Sequence, residues 1–147
     1  MSIQELLFSF HGRIGRKTYW IWNIAYYVLI LGFSIGISRL LPTLSYFLLP
    51  LFLVLLLIPD LVITAKRWHD RNKSTYWLAL NVPLIVGRLV TPALDSTPAL
   101  GNAAQTPSTL HLIMAGVSML CGLWIFIECG LLKGSEGDNQ YGPEPKA

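Results

Sequence analysis

Apolar runs long enough to cross a bilayer constrain this chain before anything else does. Thr18–Ser38 and Leu44–Thr64 each offer 21 residues, and Leu110–Leu132 offers 23. About 20 apolar residues, rising ~1.5 Å each as a helix, cover the ~30 Å of bilayer hydrocarbon. A fourth run, Thr75–Val90, has 16 residues and reaches only ~24 Å. Backbone in lipid must satisfy its own hydrogen bonds, so such runs are helices. Composition agrees: 53% of the 147 residues are hydrophobic and 13% are charged, against about 25% charged in soluble domains. The sequence predicts an all-α membrane protein, one domain over residues 1–147, with four transmembrane helices and a short N-terminal interfacial helix.

The interfacial helix is expected over residues 1–12. Ser2 and Glu5 have the spacing of a capping box. Ile3, Leu6, Leu7 and Phe10 share a face, and Gly12 is the expected stop. No basic region precedes the apolar residues, so this stretch does not read as a signal peptide. Tyr19, Trp20 and Trp22 form an aromatic belt at the start of the first span. Pro50 and Pro59 are expected to kink the second. Asn23 and Asn81 read as hydrogen-bond glue between helices. The stretch "TPALDSTPALGNAAQTPST" reads as an exposed loop, and 133–147 as a polar tail.

Positive charge fixes the expected orientation. Arg13, Arg16, Lys17, Lys66, Arg67, Arg71, Lys73, Lys133 and Lys146 fall on one side of the four-span arrangement. Only Arg39 and Arg88 fall on the other. Both termini and the 66–74 corner are therefore expected in the cytoplasm, with the TPAL loop outside. A net charge of +3 without a basic block excludes a nucleic-acid partner. Cys121 and Cys129, eight apart on one helix, are ~12 Å apart and too far for a disulfide.

The charges cluster in "KRWHDRNKSTYW", Lys66–Trp77. Lys66 and Asp70, four apart, can pair on a helix. Asn72 can end that helix in the left-handed conformation, and Ser74 can cap the next. A catalytic reading would need His69 as base, Asp70 as its orienter and Ser74 as nucleophile, but neighbouring helical residues point ~100° apart. No elbow or zinc-helix motif is present. His11, His69 and Asp70 lack a spacing that demands a metal. The sequence thus predicts no enzyme, no cofactor and no metal. Arg13, Arg16, Lys17, Arg67, Arg71 and Lys73 beside interfacial aromatics suit anionic lipid headgroups. Asp60 and Glu128 lie within or near spans, where an acid is costly and marks a site by default. Pairing with Arg67, Lys66 or Lys133 is the plainer reading for both. A transporter or channel subunit using them is the second, and a membrane-interface enzyme centred on His69 and Asp70 is the third.

Three stretches carry a family resemblance: "FSFHGRIGRKTYW", "RWHDRNKSTYW" and "GDNQYGPEP". Together they resemble the bacterial inner-membrane family catalogued as domain of unknown function 805. The resemblance implies a small four-span protein and places motif positions on Phe10, Gly12, Arg13, Arg16 and Trp20. It places others on Arg67, His69, Asp70, Lys73, Ser74 and Trp77, and on Asn139, Tyr141, Gly142, Pro143 and Pro145. Asn72 stands where glycine is typical, and Gln140 where a basic residue is common. The family brings no activity with it. All three motifs fall on the expected cytoplasmic side, where Arg13 or Arg67 would pair with Asp70 and the Tyr141 tail would fold over the corner. That cap, including His69, is the expected contact for membrane lipid, a second copy or a membrane protein partner.

Overall fold

The computed structural model describes residues 2–87 and 109–145. Among them the regular structure is helical: α1 (Ile3–Phe8), α2 (Arg16–Leu40), α3 (Pro42–Asp70), α4 (Thr75–Gly87) and α5 (Thr109–Ile125). α5 runs on as a π-helical segment, Phe126–Leu131. Arg88 and most of the expected Thr91–Thr109 loop lie outside the described residues.

Three helices are long and apolar enough to cross a membrane: Arg16–Leu40, Pro42–Asp70 and Leu112–Leu131. α4 is shorter. Its first seven residues form a 3-10 helix, Thr75–Asn81, so its described length is ~23 Å.

α2 and α3 form an antiparallel hairpin. Leu41 alone joins them, ending one helix and starting the next. Pro42 sits in the first turn of α3, where its missing N–H costs nothing. Phe33 stacks on Phe52 with ring centroids 4.0 Å apart. At the other end Trp22 Nε1 donates to Asp60 Oδ1 at 3.3 Å. The second span is longer than expected: α3 passes through Pro50 and Pro59 and stays helical to Asp70.

The molecule is polar inside and oily outside. Lys66 and Arg67 are 0% exposed, whereas Phe47 is 76% and Leu120 64% exposed. Water would drive the opposite arrangement. An apolar surface this continuous needs lipid as its solvent. The buried polar groups gather at the far end of α3, where every residue from Val62 to Asp70 is buried.

That end stops in a Schellman motif. Lys73 N–H donates to Trp68 O and Asn72 N–H to His69 O, both at 2.9 Å. Asn72 supplies the left-handed residue, φ 56°, as its tolerance of that region allows. α1 has the expected cap: Ser2 Oγ accepts from Glu5 N–H at 3.2 Å, and Glu5 Oε2 accepts from Ser2 N–H at 2.9 Å. These bonds hold the Glu5 carboxyl below its ordinary range. The helix ends earlier than expected, at Phe8 with Ser9 as its cap. Gly12 instead turns the following segment, at φ 93°.

Candidate functional site

Asp70 is the centre of a buried polar cap. Its Oδ1 accepts from Arg13 Nε at 3.1 Å and Nη2 at 3.0 Å. Its Oδ2 accepts from Arg67 Nη1. Both guanidinium groups are fully buried, so neither interacts through water. One carboxylate cannot neutralise two buried cations, so backbone oxygens supply the rest.

Arg13 reaches the tail. Nη1 donates to Gly137 O at 2.7 Å and Gly142 O at 3.2 Å. Nη2 donates to Ser135 O at 2.6 Å. Arg67 reaches the end of α5, donating from Nε to Cys129 O at 2.7 Å and from Nη2 to Leu132 O. Trp20 Nε1 donates to Gly130 O at 3.1 Å, and Arg16 Nη1 to Leu131 O at 3.0 Å. Arg71 Nη1 donates to Lys133 O. Five successive carbonyls, from Cys129 to Lys133, thus receive donors from α2, α3 and the corner after it. A helix leaves its last carbonyls without partners and its C-terminus partly negative. Trp20 and the arginines supply the donors, and the arginines supply the positive charge.

The tail folds over the corner as the motifs suggested. Ser135 N–H donates to Asp70 O at 2.7 Å. Asn139 Nδ2 donates to His69 O at 2.9 Å, and Asn139 Oδ1 accepts from Tyr141 N–H at 2.9 Å. The second bond closes an Asx turn. It presents the Tyr141 ring flat on His69, centroids 3.9 Å apart and planes 3° apart.

His69 is built into this joint. Its Nδ1 lies 3.2 Å from Gly12 O, so Nδ1 carries the proton. Nε2 then accepts from the Thr75 hydroxyl at 2.8 Å. Hydroxyl and imidazole have the spacing of a nucleophile and its base, but the ring is buried beneath Tyr141. Asp70 does not orient it, and Ser74 is not its partner. Ser74 sits at the start of α4 without making the expected side-chain cap. Among the described residues no group of three His, Cys, Asp or Glu could hold a metal ion.

Three expected partners are corrected. Lys66 does not pair with Asp70; its Nζ donates to Glu5 O and to Leu6 O, the latter at 3.2 Å, pinning α1 to α3. Glu128 pairs with Arg71 at 3.2 Å and Lys73 at 2.8 Å, not with Lys66, Arg67 or Lys133. Lys73 also lies over Trp77, 4.5 Å from its ring centroid. Asn23 donates to Tyr19 O at 2.9 Å on its own helix instead of bridging helices. Asp60 stands apart from the cap, beside Trp22.

Sequence reasoning missed Gly134. A Cβ there would fall into the Asp70 carboxylate. Only glycine lets the tail backbone approach the acid this closely. Gly134→Ala is expected to cost about 1–3 kcal/mol through overpacking. It should also expose the tail to protease, which limited digestion followed by mass analysis would detect. Digestion indistinguishable from wild type would count against this packing.

The apolar helices define a membrane-type helical protein, and the cap gathers the three motifs that mark one family. The chain belongs to that family, described as "Protein of unknown function (DUF805)", whose pattern matches residues 7–143. It is 33% identical over 146 residues to "Uncharacterized protein YiiR" of Escherichia coli (strain K12), covering 98% of this chain and 90% of that protein. The protein of the same name from Escherichia coli O157:H7 gives the same figures. No solved structure matches the chain.

Proposed function

We propose that this is a non-enzymatic, four-span protein of the bacterial inner membrane that binds anionic lipid headgroups at its cytoplasmic end. In this reading α4 belongs to the short third span. Both termini and the 66–74 corner face the cytoplasm, where α1 lies along the interface.

One observation carries the lipid reading. Asp70, Glu128 and backbone carbonyls engage Arg13, Arg67, Arg71 and Lys73. Among the described residues the exposed lysines and arginines at the same end are Arg16, Lys17 and Lys133. The Arg16–Leu131 bond holds the start of α2 against the end of α5, bringing the three close together. Headgroup contact therefore belongs to this rim. Arg13, Arg67, His69, Asp70 and Tyr141 build the platform beneath it.

The test is retention of phosphatidylglycerol by native mass spectrometry after gentle extraction. Each surface cation contributes ~1 kcal/mol toward an anionic surface, so Arg16→Gln/Lys17→Gln/Lys133→Gln should reduce retention by about two orders of magnitude. Added salt should weaken the wild type similarly. Equal retention by both proteins would sink the lipid reading and turn the search to a protein partner or a second copy. The transporter reading finds less support: Glu128 is held by two cations, and only Asp60 remains near a cavity.

A further inference from the structure

The tail from Lys133 to Pro145 is fastened at both ends and in its middle. At one end Lys133 O accepts from Arg71 Nη1, and Gly134 lies against the Asp70 carboxylate. Ser135 follows, donating from N–H and from Oγ to Asp70 O at 2.7 and 3.1 Å. At the other end Pro145 packs against Gly15, its Cβ 3.9 Å from where a Cβ on that glycine would lie. Gly15 directly precedes Arg16 and Lys17. In the middle Arg13 holds Ser135 O, Gly137 O and Gly142 O at once, and the Tyr141 ring covers His69. The tail is thus a strap that starts at one cation of the rim and ends beside the other two.

The strap is fastened without being buried. No residue from Lys133 to Pro145 is buried, and its regular structure is one bridge, Asn139–Gly142. Segments with little buried apolar surface open locally, at a small fraction of the global stability. Polar bonds and one ring stack hold this one, so a modest added interaction shifts its docked population.

A phosphate that bridges Lys133 with Arg16 or Lys17 is such an interaction. Lys133 belongs to the strap, whereas Arg16 and Lys17 stand on α2. A headgroup shared between them closes the strap against α2. Linkage is reciprocal, so whatever the lipid does for the strap, the strap does for the lipid. The strap's own acids oppose this. Glu136, Asp138 and Glu144 are exposed, and an anionic bilayer repels them. That repulsion acts through water and is screened over ~8 Å, whereas a phosphate between cations is in direct contact. Closing therefore wins.

We infer that docking of the 133–145 strap is coupled to anionic lipid at the rim, so that the tail closes on an anionic membrane and loosens on a neutral one. This rests on the lipid reading above. It adds an uncharged residue, Tyr141, to what governs lipid retention.

The test uses the full chain in nanodiscs of phosphatidylcholine, with or without phosphatidylglycerol. Wild type is compared with Tyr141→Ala, Tyr141→Phe and the rim variant Arg16→Gln/Lys17→Gln/Lys133→Gln. Hydrogen exchange over residues 134–142 reads the strap, and native mass spectrometry reads lipid retention. Phosphatidylglycerol should slow strap exchange about fivefold in wild type and leave it unchanged in the rim variant. Tyr141→Ala loses the stack on His69 and should hold phosphatidylglycerol about fivefold more weakly, although every rim cation is present. Tyr141→Phe keeps the stack and should match wild type.

Equal retention of phosphatidylglycerol by wild type and the rim variant would remove the lipid reading, and the coupling with it. Loss in the rim variant, with strap exchange the same in both bilayers or with Tyr141→Ala retaining lipid as wild type does, would leave the rim standing and overturn the coupling. Faster strap exchange on phosphatidylglycerol would also overturn it, and would assign the larger effect to repulsion of Glu136, Asp138 and Glu144.

Discussion

Asp70→Asn is expected to destabilise the protein by about 3–5 kcal/mol, because removing one member of a buried ion cluster leaves the others uncompensated. The substitution keeps the side chain's size, so lost packing is not the cause. Arg13 and Arg67 would remain, both fully buried, with no carboxylate between them. The backbone oxygens of Ser135, Gly137, Gly142 and Cys129 offset only part of that charge. The first consequence should be local. The tail is bound to the corner mainly through Arg13, Ser135 and Asn139, and it should detach before the helices separate. Equilibrium unfolding in mixed micelles measures the total cost. Hydrogen exchange on residues 133–145 measures the release. A variant as stable as wild type, with a protected tail, would mean that Asp70 does not organise the cap.

Arg67→Lys is expected to cost about 2–5 kcal/mol, although it keeps the charge, since each buried acceptor left unsatisfied costs about 1–3 kcal/mol. The guanidinium is a planar fork that reaches the Asp70 carboxylate, Cys129 O and Leu132 O together. An ammonium is a point charge on a different stem and cannot meet all three. The position is 0% exposed, so water cannot fill in for the lost donors. α5 should lose its anchor at the π-helical segment. A π segment typically marks a position where one extra residue is accommodated for a local purpose. Here it lies beside carbonyls that receive donors from Arg67, Trp20 and Arg16. The same unfolding measurement applies, with α5 exchange as the local readout. Wild-type stability in Arg67→Lys would mean that charge alone, not the fork, is what this site uses.

Much of the cap was legible from residue type. Charges are rare in this chain, so a pair of Asp70 with Arg13 or Arg67 was legible; that both arginines share the one carboxylate was not. Asn72 was legible because few residue types tolerate the left-handed region. Tyr141 over the corner followed from the expectation that the three motifs share one side of the membrane. The acceptors of the arginines were not legible. Carbonyls have no letter in a sequence, and which ones end up unpaired depends on where α5 stops. Lys66 illustrates a second limit. Spacing of four favours a local pair with Asp70, but the folded chain returns α1 to the same place and offers Lys66 its terminal carbonyls. Gly134 needed a third dimension, because its role is the room it leaves for Asp70. The start of α4 differs for a related reason. Thr75 is tied to His69, and the helix begins there in the tighter 3-10 form.

The central claim is that distant motifs meet in one buried ion cluster, and a double-mutant cycle on Arg13 and Asp70 tests it most directly. The cycle would use Arg13→Gln, Asp70→Asn and the combined variant, each unfolded reversibly in mixed micelles. The account predicts a coupling energy of about 1.5–3 kcal/mol, with the double variant less damaged than the sum of the singles. Additivity within about 0.5 kcal/mol would place the two residues outside one another's reach and contradict the cap.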